Sequence, residues 1–236
     1  MPTLVSDIKG PKNSRATTVR RRRANRERTH RRLLQVAIRL FAQRGFHGVS
    51  MEDVATAAHM SKRLPYYYFS SKPGLYRAAL MEVYQRIEGI EVQAMDEKHS
   101  PSEKLEALVN SYFLFLRENP EFTQLLLWGN LEKGRLFPKG LLSKMPLLRR
   151  LAQIVEEGVA AGEFRDDLVV SHLLINVIGL AFIYFSNQYS LSQVLGLDLG
   201  SIAQQAQAMK QVKSVLLDGI RTSGYKDRAR EPVTKR

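Results

Sequence analysis

Apolar residues recur every three or four positions along most of the chain, which is the spacing of helices that bury one face. The first such stretch runs from Thr29, an expected N-cap, to Gly45, an expected left-handed C-cap. Later stretches predict helices over residues 71–96, 102–118, 121–133, 146–162, 168–185 and 201–221. No alternating run indicates a strand, so the sequence predicts an all-α protein.

Two short helices joined by a tight turn are predicted within residues 50–72, SMEDVATAAHMSKRLPYYYFSSK. Ser50 is placed to cap the first of them, with Asp53 three residues on in the capping-box position. Ser61 is the expected cap of the second helix, which carries cations and three consecutive tyrosines that suit a core poorly. A helix-turn-helix of this kind places its second helix in the major groove of DNA, while the first helix braces it across the backbone.

Pro65 disturbs the second helix, because a proline beyond the free first turn removes a backbone hydrogen bond and pushes Leu64 away from helical geometry. The helix is therefore expected to start late, near Leu64, with Lys62 and Arg63 left on the turn. His59 occupies the turn itself, and His is among the few residue types other than Gly that are enriched at positive φ.

The stretch FAQRGFHGVSMEDVATAAHMSKRLPYYYFSSKPGLYRAAL resembles the N-terminal DNA-binding domain of the TetR family of bacterial transcriptional regulators. The similarity runs without a gap from about Thr29 to Leu80. The family usually has Gly where this chain has His59, and an apolar helix former where it has Pro65. The resemblance implies eight DNA-facing residues, which are Ser50, Lys62, Arg63, Leu64, Tyr66, Tyr67, Tyr68 and Lys72. It also implies a three-helix DNA-binding domain followed by a helical domain that binds an effector and joins two subunits.

The formal net charge of +13 is concentrated at the two ends of the chain. Residues 1–35 carry a net charge of +9 and residues 220–236 carry +4, whereas residues 36–219 sum to zero. Residues 1–28 are predicted to be a disordered basic arm, and residues 223–236 a loose basic tail. Arginine-rich arms neutralise phosphates or enter the minor groove of DNA. The DNA-binding candidates of this arm are Arg20, Arg21, Arg22 and Arg23.

A DNA-binding domain is expected over residues 29–76, and a larger effector-binding and dimerisation domain over residues 77–222. The second domain has aromatic and polar side chains on otherwise apolar helices, which favours a pocket for a small organic molecule. The candidate effector-binding residues are Tyr112, Trp128, His172, Asn176 and Tyr184. Two local stretches, ENPEFTQLLLWGNLEKG and LAQIVEEGVAAGEF, look like the branch of the family that regulates the breakdown of pyrimidines and other N-heteroaromatic compounds. That likeness implies a planar heteroaromatic effector.

Residues 168–185, LVVSHLLINVIGLAFIYF, are apolar enough to invite a membrane-spanning interpretation. Ser171, His172 and Asn176 interrupt the stretch, and no Lys or Arg brackets it. The simpler interpretation is a helix buried on two sides, by its own core and by a partner subunit. The residues expected to meet their symmetry mates are Ile178, Phe182, Phe185, Met209, Val212 and Leu216.

No catalytic or cofactor signature is present, because the chain has no Cys, no HExxH, no Walker loop, no GxGxxG and no GxSxG. The sequence therefore predicts a protein that is not an enzyme and that has no metal or cofactor. It favours a cytoplasmic homodimeric repressor that binds a palindromic operator in double-stranded DNA and is released by a small organic effector. A basic dimeric protein that binds nucleic acid without sequence preference stays open as the alternative.

Overall fold

A computed structural model describes residues 13–90, 99–137 and 146–222 of the chain. Within these residues the protein is all-helical, which confirms the predicted fold class. The helices are α1 (Asn13–Arg44), α2 (Met51–Ala57), α3 (Arg63–Phe69), α4 (Lys72–Ile90), α5 (Pro101–Glu118), α6 (Pro120–Leu131), α7 (Pro146–Ala160), α8 (Val170–Ser186), α9 (Gln188–Leu195) and α10 (Ile202–Ile220). Other expectations lie outside the described residues, namely those for positions 1–12, 91–98, 138–145 and 223–236.

α1 is longer than predicted, because it begins at Asn13 and not near Thr29. The prediction of a disordered arm is therefore wrong for residues 13–28, which are helical. Arg and Ala are strong helix formers, and the Arg23 guanidinium pairs with the Glu27 carboxylate one helical turn away at 3.0 Å. Composition indicated disorder because segments that are highly charged and poor in apolar residues usually cannot bury enough surface to become ordered.

The helix-turn-helix is formed by α2 and α3, and the predicted cap of α2 is confirmed. The Ser50 hydroxyl accepts a hydrogen bond from the Asp53 backbone N–H at 3.0 Å. The Asp53 carboxylate accepts one from the Ser50 N–H at 2.7 Å, which completes the capping box. His59 lies in the turn at φ 55, as expected for a residue that stands in for Gly there.

α3 starts late, as Pro65 predicts. Its first helical residue is Arg63, so Pro65 is the third residue of the helix and its missing N–H falls within the free first turn. The expected cap at Ser61 is wrong, because Lys62 is the N-cap and its side chain makes no capping hydrogen bond. The Ser61 carbonyl instead accepts a hydrogen bond from the Leu64 N–H at 3.0 Å.

Replacement of Ser50 by Ala is expected to lower the free energy of unfolding by about 1 kcal/mol, because it removes the acceptor for a free N–H at the start of α2. Hydrogen bonds from the Ser50 hydroxyl and N–H also hold the pKa of Asp53 below its usual value. The contribution of that carboxylate is therefore present above the unfolded-state pKa and is lost as the pH falls through the lower folded-state pKa. Urea unfolding at neutral and acidic pH measures both effects. Ser61→Ala is the matched control, and an equal loss in the two variants would contradict the capping role.

The core of the first domain forms where α1, α2, α3 and α4 pack together. Its fully buried members include Leu33, Phe41, Val54, Leu75 and Tyr76. Helices as short as α2 and α3 are not stable alone, so this packing sets their positions. The same apolar cluster continues into α5, α6 and α8, which places the two domains in direct contact.

The second domain begins with α5, whose N-cap is Ser100 and not the predicted Ser102. Pro101 occupies the first helical position, and Glu103 completes a capping box with Ser100. The Ser102 hydroxyl instead donates to the Glu163 carboxylate at 2.6 Å, which ties α5 to the turn after α7. α5, α7, α8 and α10 then pack around a second apolar core.

Within the subunit, α8 is covered on one side only. Leu173, Val177 and Ala181 are buried, whereas Ile175 is 61% exposed and Ile183 is 42% exposed. α9, which the sequence pattern does not predict, follows α8 across a bend of 73°. No single helix in the described ranges is long and apolar enough to cross a bilayer, and α8 and α9 reach that length and hydropathy only as a bent pair.

The residues predicted to meet a partner subunit pack mainly inside their own subunit. Val212 and Leu216 are buried in the second core. The other four are half-buried against the first core, and they are Ile178, Phe182, Phe185 and Met209. Their contact with a partner subunit stays a prediction, because α8 is apolar on nearly every side and its periodicity does not show which side faces inward.

Candidate functional site

α3 presents one polar face to solvent. Lys62, Arg63, Tyr66 and Tyr67 are exposed, with 47% of Tyr66 and 65% of Tyr67 accessible. The buried residues of α3 lie against the first core. The two cations can donate charge-assisted hydrogen bonds to DNA phosphates and base edges. The two phenols add hydroxyl groups for hydrogen bonds and flat rings for apolar contacts in a DNA groove.

Leu64 and Tyr68 flank this face and are half-buried against the first domain. The Tyr68 hydroxyl donates to the Arg26 carbonyl at 3.3 Å, and its ring meets the His30 ring edge-on with 5.7 Å between the centroids. Tyr68 therefore joins α3 to α1. Its packing gives it a structural role, and the DNA contact expected from the sequence stays a prediction.

Ser50 and Lys72 lie at the starts of α2 and α4, the helices on either side of α3 in the chain. The Ser50 hydroxyl also donates to the Asp53 carboxylate at 2.7 Å, so a DNA phosphate would have to share it. The Lys72 Nζ lies 4.6 Å from the centroid of the Phe46 ring and 3.5 Å from the His47 carbonyl oxygen. A cation–π contact positions the ammonium without neutralising its charge.

The N-terminal part of α1 passes beside α3. The Arg26 guanidinium carbon lies 5.8 Å from the centroid of the Tyr67 ring, which belongs to the exposed face of α3. A cavity of about 680 Å³ lies between these helices and α4. The four predicted arginines are exposed further toward the N-terminus of α1, and they are Arg20, Arg21, Arg22 and Arg23. The structure thus places the basic segment next to the helix-turn-helix.

The single Trp of the chain joins the second domain to the first. The Trp128 indole N–H donates to the Ala42 carbonyl at 3.1 Å. Its ring lies against Gly45, where a Cβ would come within 2.8 Å of it. Gly45 also has φ 70, which confirms the predicted C-cap of α1. Trp128 packs against the end of α1 and also lines a cavity of about 640 Å³ between α1 and α6, so its contact with an effector stays a prediction.

Two further contacts link α6 to the first domain. The Tyr76 hydroxyl donates to the Leu125 carbonyl at 2.7 Å, and burial raises the pKa of Tyr76, so that the hydroxyl stays a donor. The His47 Nε2 lies 2.8 Å from the Glu132 carboxylate. α6 is therefore joined to the first domain at α1, at the loop before α2 and at α4.

The structure does not bring the five candidate effector residues together. Tyr112 is buried in the apolar core, where burial raises the pKa of its hydroxyl. His172 and Asn176 are exposed on α8, and Tyr184 is half-buried near the end of that helix. Trp128 belongs to α6 and packs against the C-terminal end of α1. None of the cavities described for this structure is lined by more than one of the five.

A cavity of about 370 Å³ lies between α8, α9 and α10. Its walls are mostly aliphatic, and its polar groups come from Tyr184 and from Gln204, Gln207 and Gln211. The glutamines are three and four residues apart, which puts them on one face of α10. The sequence alone shows this spacing of the three glutamines, but the predicted effector-binding residues do not include them.

Within the described ranges, no three His, Asp or Glu side chains are grouped so that they could hold a metal ion. Acidic side chains instead link helices through ion pairs. Glu121 pairs with Arg86 and Glu157 with Lys104, each at 2.6 Å. The hydrogen bond from Lys104 lowers the pKa of Glu157. These contacts give no positive indication of catalysis.

Comparison with known families matches both domains. Residues 33–79 match the family described as bacterial regulatory proteins, tetR family. Residues 101–216 match the family described as the tetracyclin repressor-like C-terminal domain. The two matches cover the helix-turn-helix and most of the second domain.

Full-length relatives show the same relationship. The chain is 30% identical to the HTH-type transcriptional repressor NicS of Pseudomonas putida, over 88% of this chain and 99% of that protein. It is 25% identical to the HTH-type transcriptional regulator RutR of Escherichia coli, over 80% of this chain and 89% of that protein.

Solved structures share the fold. The ketosteroid transcriptional regulator KstR2 of Mycobacterium tuberculosis superposes with a TM-score of 0.59 at 20% identity, over 82% of this chain and 95% of that one. A TetR-like transcriptional regulator from a Rhodococcus species superposes with a TM-score of 0.61 at 19% identity, over 81% and 94%. The chain belongs to the TetR family of bacterial transcriptional regulators.

Proposed function

We propose that this regulator is a repressor that binds a palindromic operator as a homodimer and leaves it when a small effector binds. Family membership makes the chain a transcriptional regulator and not an enzyme, and its relative NicS is named as a repressor. The observation that carries the proposal is the exposed polar face of α3. It lies beside the basic N-terminal part of α1, and α1 is in turn hydrogen-bonded to α6 of the second domain.

In this proposal α3 enters the major groove. Arg63 and Tyr67 are placed near base edges, whereas Tyr66 and Lys72 hold phosphates. Leu64, at the margin of the exposed face, suits contact with a thymine methyl group. The exposed arginines of α1 run along the adjacent backbone or enter the neighbouring minor groove.

Replacement of Arg63 by Ala is expected to cost about 1–3 kcal/mol of operator binding and to relax the base preference at one position in each half-site. The reason is that Arg63 is exposed and lies in the first turn of α3. Selection from randomised operators measures the preference, and fluorescence anisotropy measures the affinity. Arg117→Ala, at an exposed arginine of α5, is the control. An unchanged base preference would show that Arg63 does not contribute to the recognition of the operator bases.

The dimer surface in this proposal is the exposed side of α8 and α10. Ile175 and Ile183 of α8 and Val215 of α10 are apolar and accessible within the subunit. A Cβ added at Gly179 would meet no atom within 4 Å, so the backbone of α8 is open to a second helix there. Two helices from each subunit would form a four-helix interface. The two α3 helices would then face successive major grooves, about 34–36 Å apart.

The effector in this proposal is a small planar heteroaromatic compound, as the local likeness in the second domain suggests. It would act by binding more tightly to the arrangement of α4 and α6 that separates the two heads from their half-sites. The size of the response is set by the difference between its affinities for the two arrangements. The contacts of Trp128, Tyr76 and His47 support this path from α6 to the first domain.

Footprinting on fragments recovered by operator selection tests the proposal. A short palindromic footprint supports a dimeric repressor, whereas uniform coverage of random DNA would support the alternative of sequence-independent binding. A screen of pyrimidines and other N-heteroaromatic compounds for a rise in melting temperature then identifies effectors. A compound that stabilises the protein and leaves operator binding unchanged would contradict the proposed release.

A further inference from the structure

The apolar side chains of α9 are not covered by the rest of the subunit. None of its residues is buried, and Val194 is 79% and Leu195 57% exposed. The helix follows α8 across the 73° bend at Asn187, and it ends at Gly196 in the left-handed conformation. A helix this short is not stable by itself, so its position depends on what lies beneath it.

A cavity, and not a packed core, lies beneath α9. Leu191 and Leu195 line it from α9, and the other apolar walls come from α8, α10 and the connection between α9 and α10. Its volume of about 370 Å³ falls within the range of small-molecule sites, roughly 300–1,000 Å³. The cavity is open to solvent on one side, because Ile183, Leu195 and Val215 in its walls are 42%, 57% and 58% exposed.

All polar groups of the cavity are uncharged. They are the amides of Gln204, Gln207 and Gln211 and the hydroxyl of Tyr184, and its walls contain no Lys, Arg, His, Asp or Glu. A charged group held against these walls would gain no counter-charge and would lose part of its hydration, which costs more than covering a neutral polar group. Each glutamine amide offers both a donor and an acceptor. The cavity therefore selects a neutral molecule with both kinds of group on one edge.

We propose that this cavity binds an uncharged, largely apolar small molecule whose polar edge carries a hydrogen-bond donor and an acceptor. The assignment of this cavity as the effector site rests on the proposed function. Ile183 and Val215 line the cavity and also belong to the proposed dimer surface. An occupant would therefore change how the two subunits pack and, because α8 packs against α6, how α6 meets the first domain.

The test uses the full-length protein and Nile red, an uncharged planar dye that fluoresces in apolar surroundings. Wild-type protein is expected to bind it saturably. Leu195→Trp fills the cavity and should weaken dye binding about tenfold or more. Val194→Trp is the matched control, because the neighbouring residue is equally apolar and does not line the cavity. Gln211→Glu places a carboxylate in the wall and should also weaken binding, while circular dichroism confirms that each variant is folded.

Loss of dye binding in Leu195→Trp, together with its retention in Val194→Trp, would support the site. Equal binding by wild type and both tryptophan variants would overturn it. Light scattering measures whether each variant is a dimer. If Leu195→Trp also converts dimers into monomers, the cavity is a contact between two copies of the chain and the proposal fails.

The role as effector site has its own readout. A compound that releases wild-type protein and Val194→Trp from the operator, but not Leu195→Trp, would support it. Release of all three proteins would overturn the assignment and leave the proposed repressor function intact. Saturable dye binding without any releasing compound would instead contradict the ligand response, and the cavity would remain a binding site without that role.

Discussion

Replacement of Arg20, Arg21, Arg22 and Arg23 by Gln is expected to weaken binding to operator and random DNA by similar factors. Each arginine that neutralises a phosphate releases condensed counterions, and this gain does not depend on base sequence. The slope of log affinity against log salt should fall by about 0.9 for each phosphate that is no longer neutralised, and by about 3.6 if all four arginines bind phosphates. The decrease in affinity should therefore be largest at low salt.

Glutamine is the informative substitution because it removes the charge and keeps a strong helix former in α1. Any decrease in affinity then reports on phosphate binding and not on unfolding of the helix. The four side chains are exposed, so the melting temperature should barely change. If the segment enters a minor groove, the decrease should be greater where A·T-rich steps narrow that groove.

Fluorescence anisotropy over a series of salt concentrations measures the slope. The control removes the same charge from exposed cations of the second domain, at Arg117, Arg149, Lys210 and Arg221. That variant should keep the wild-type slope. A salt slope unchanged by the quadruple substitution in α1 would show that its arginines are only solvated.

Replacement of Ile175 by Glu is expected to convert dimers into monomers. The residue is 61% exposed within the subunit and lies on the side of α8 assigned to the interface. A two-fold axis repeats every substitution, so two carboxylates would be buried without partners, and each would carry a large desolvation cost. The dissociation constant of the dimer should rise about a hundredfold or more. Operator binding should fall with it, because a monomer engages one half-site.

Light scattering over a range of protein concentrations measures this effect. Leu131→Glu is the control, because Leu131 is also apolar and exposed but lies at the end of α6. Ile175 does not line the cavity under α9, so the test of the dimer is separate from the test of the ligand site. A stable dimer in Ile175→Glu would place the interface elsewhere. Phe182→Glu would be a poor substitute, because Phe182 packs into its own subunit.

The sequence by itself determined the local features of the first domain. Ser50 and Asp53 form their capping box, Gly45 ends α1, and Pro65 delays the start of α3, as predicted. Each of these outcomes depends on contacts within a few residues of the position concerned. The DNA-facing positions follow from the family pattern and stay a prediction.

The tertiary structure decided which side of each element faces inward. α8 is apolar on nearly every side, so only packing shows that Phe182 points into the subunit and Ile175 out of it. Only the structure shows that the Trp128 indole donates a hydrogen bond to the Ala42 carbonyl of α1. Composition predicts disorder for residues 13–28, yet these residues form a continuous helix in which Arg26 contacts Tyr67 and Tyr68 of α3. Burial and contacts between residues far apart in sequence depend on how the helices pack, and periodicity within one segment contains no information about its neighbours.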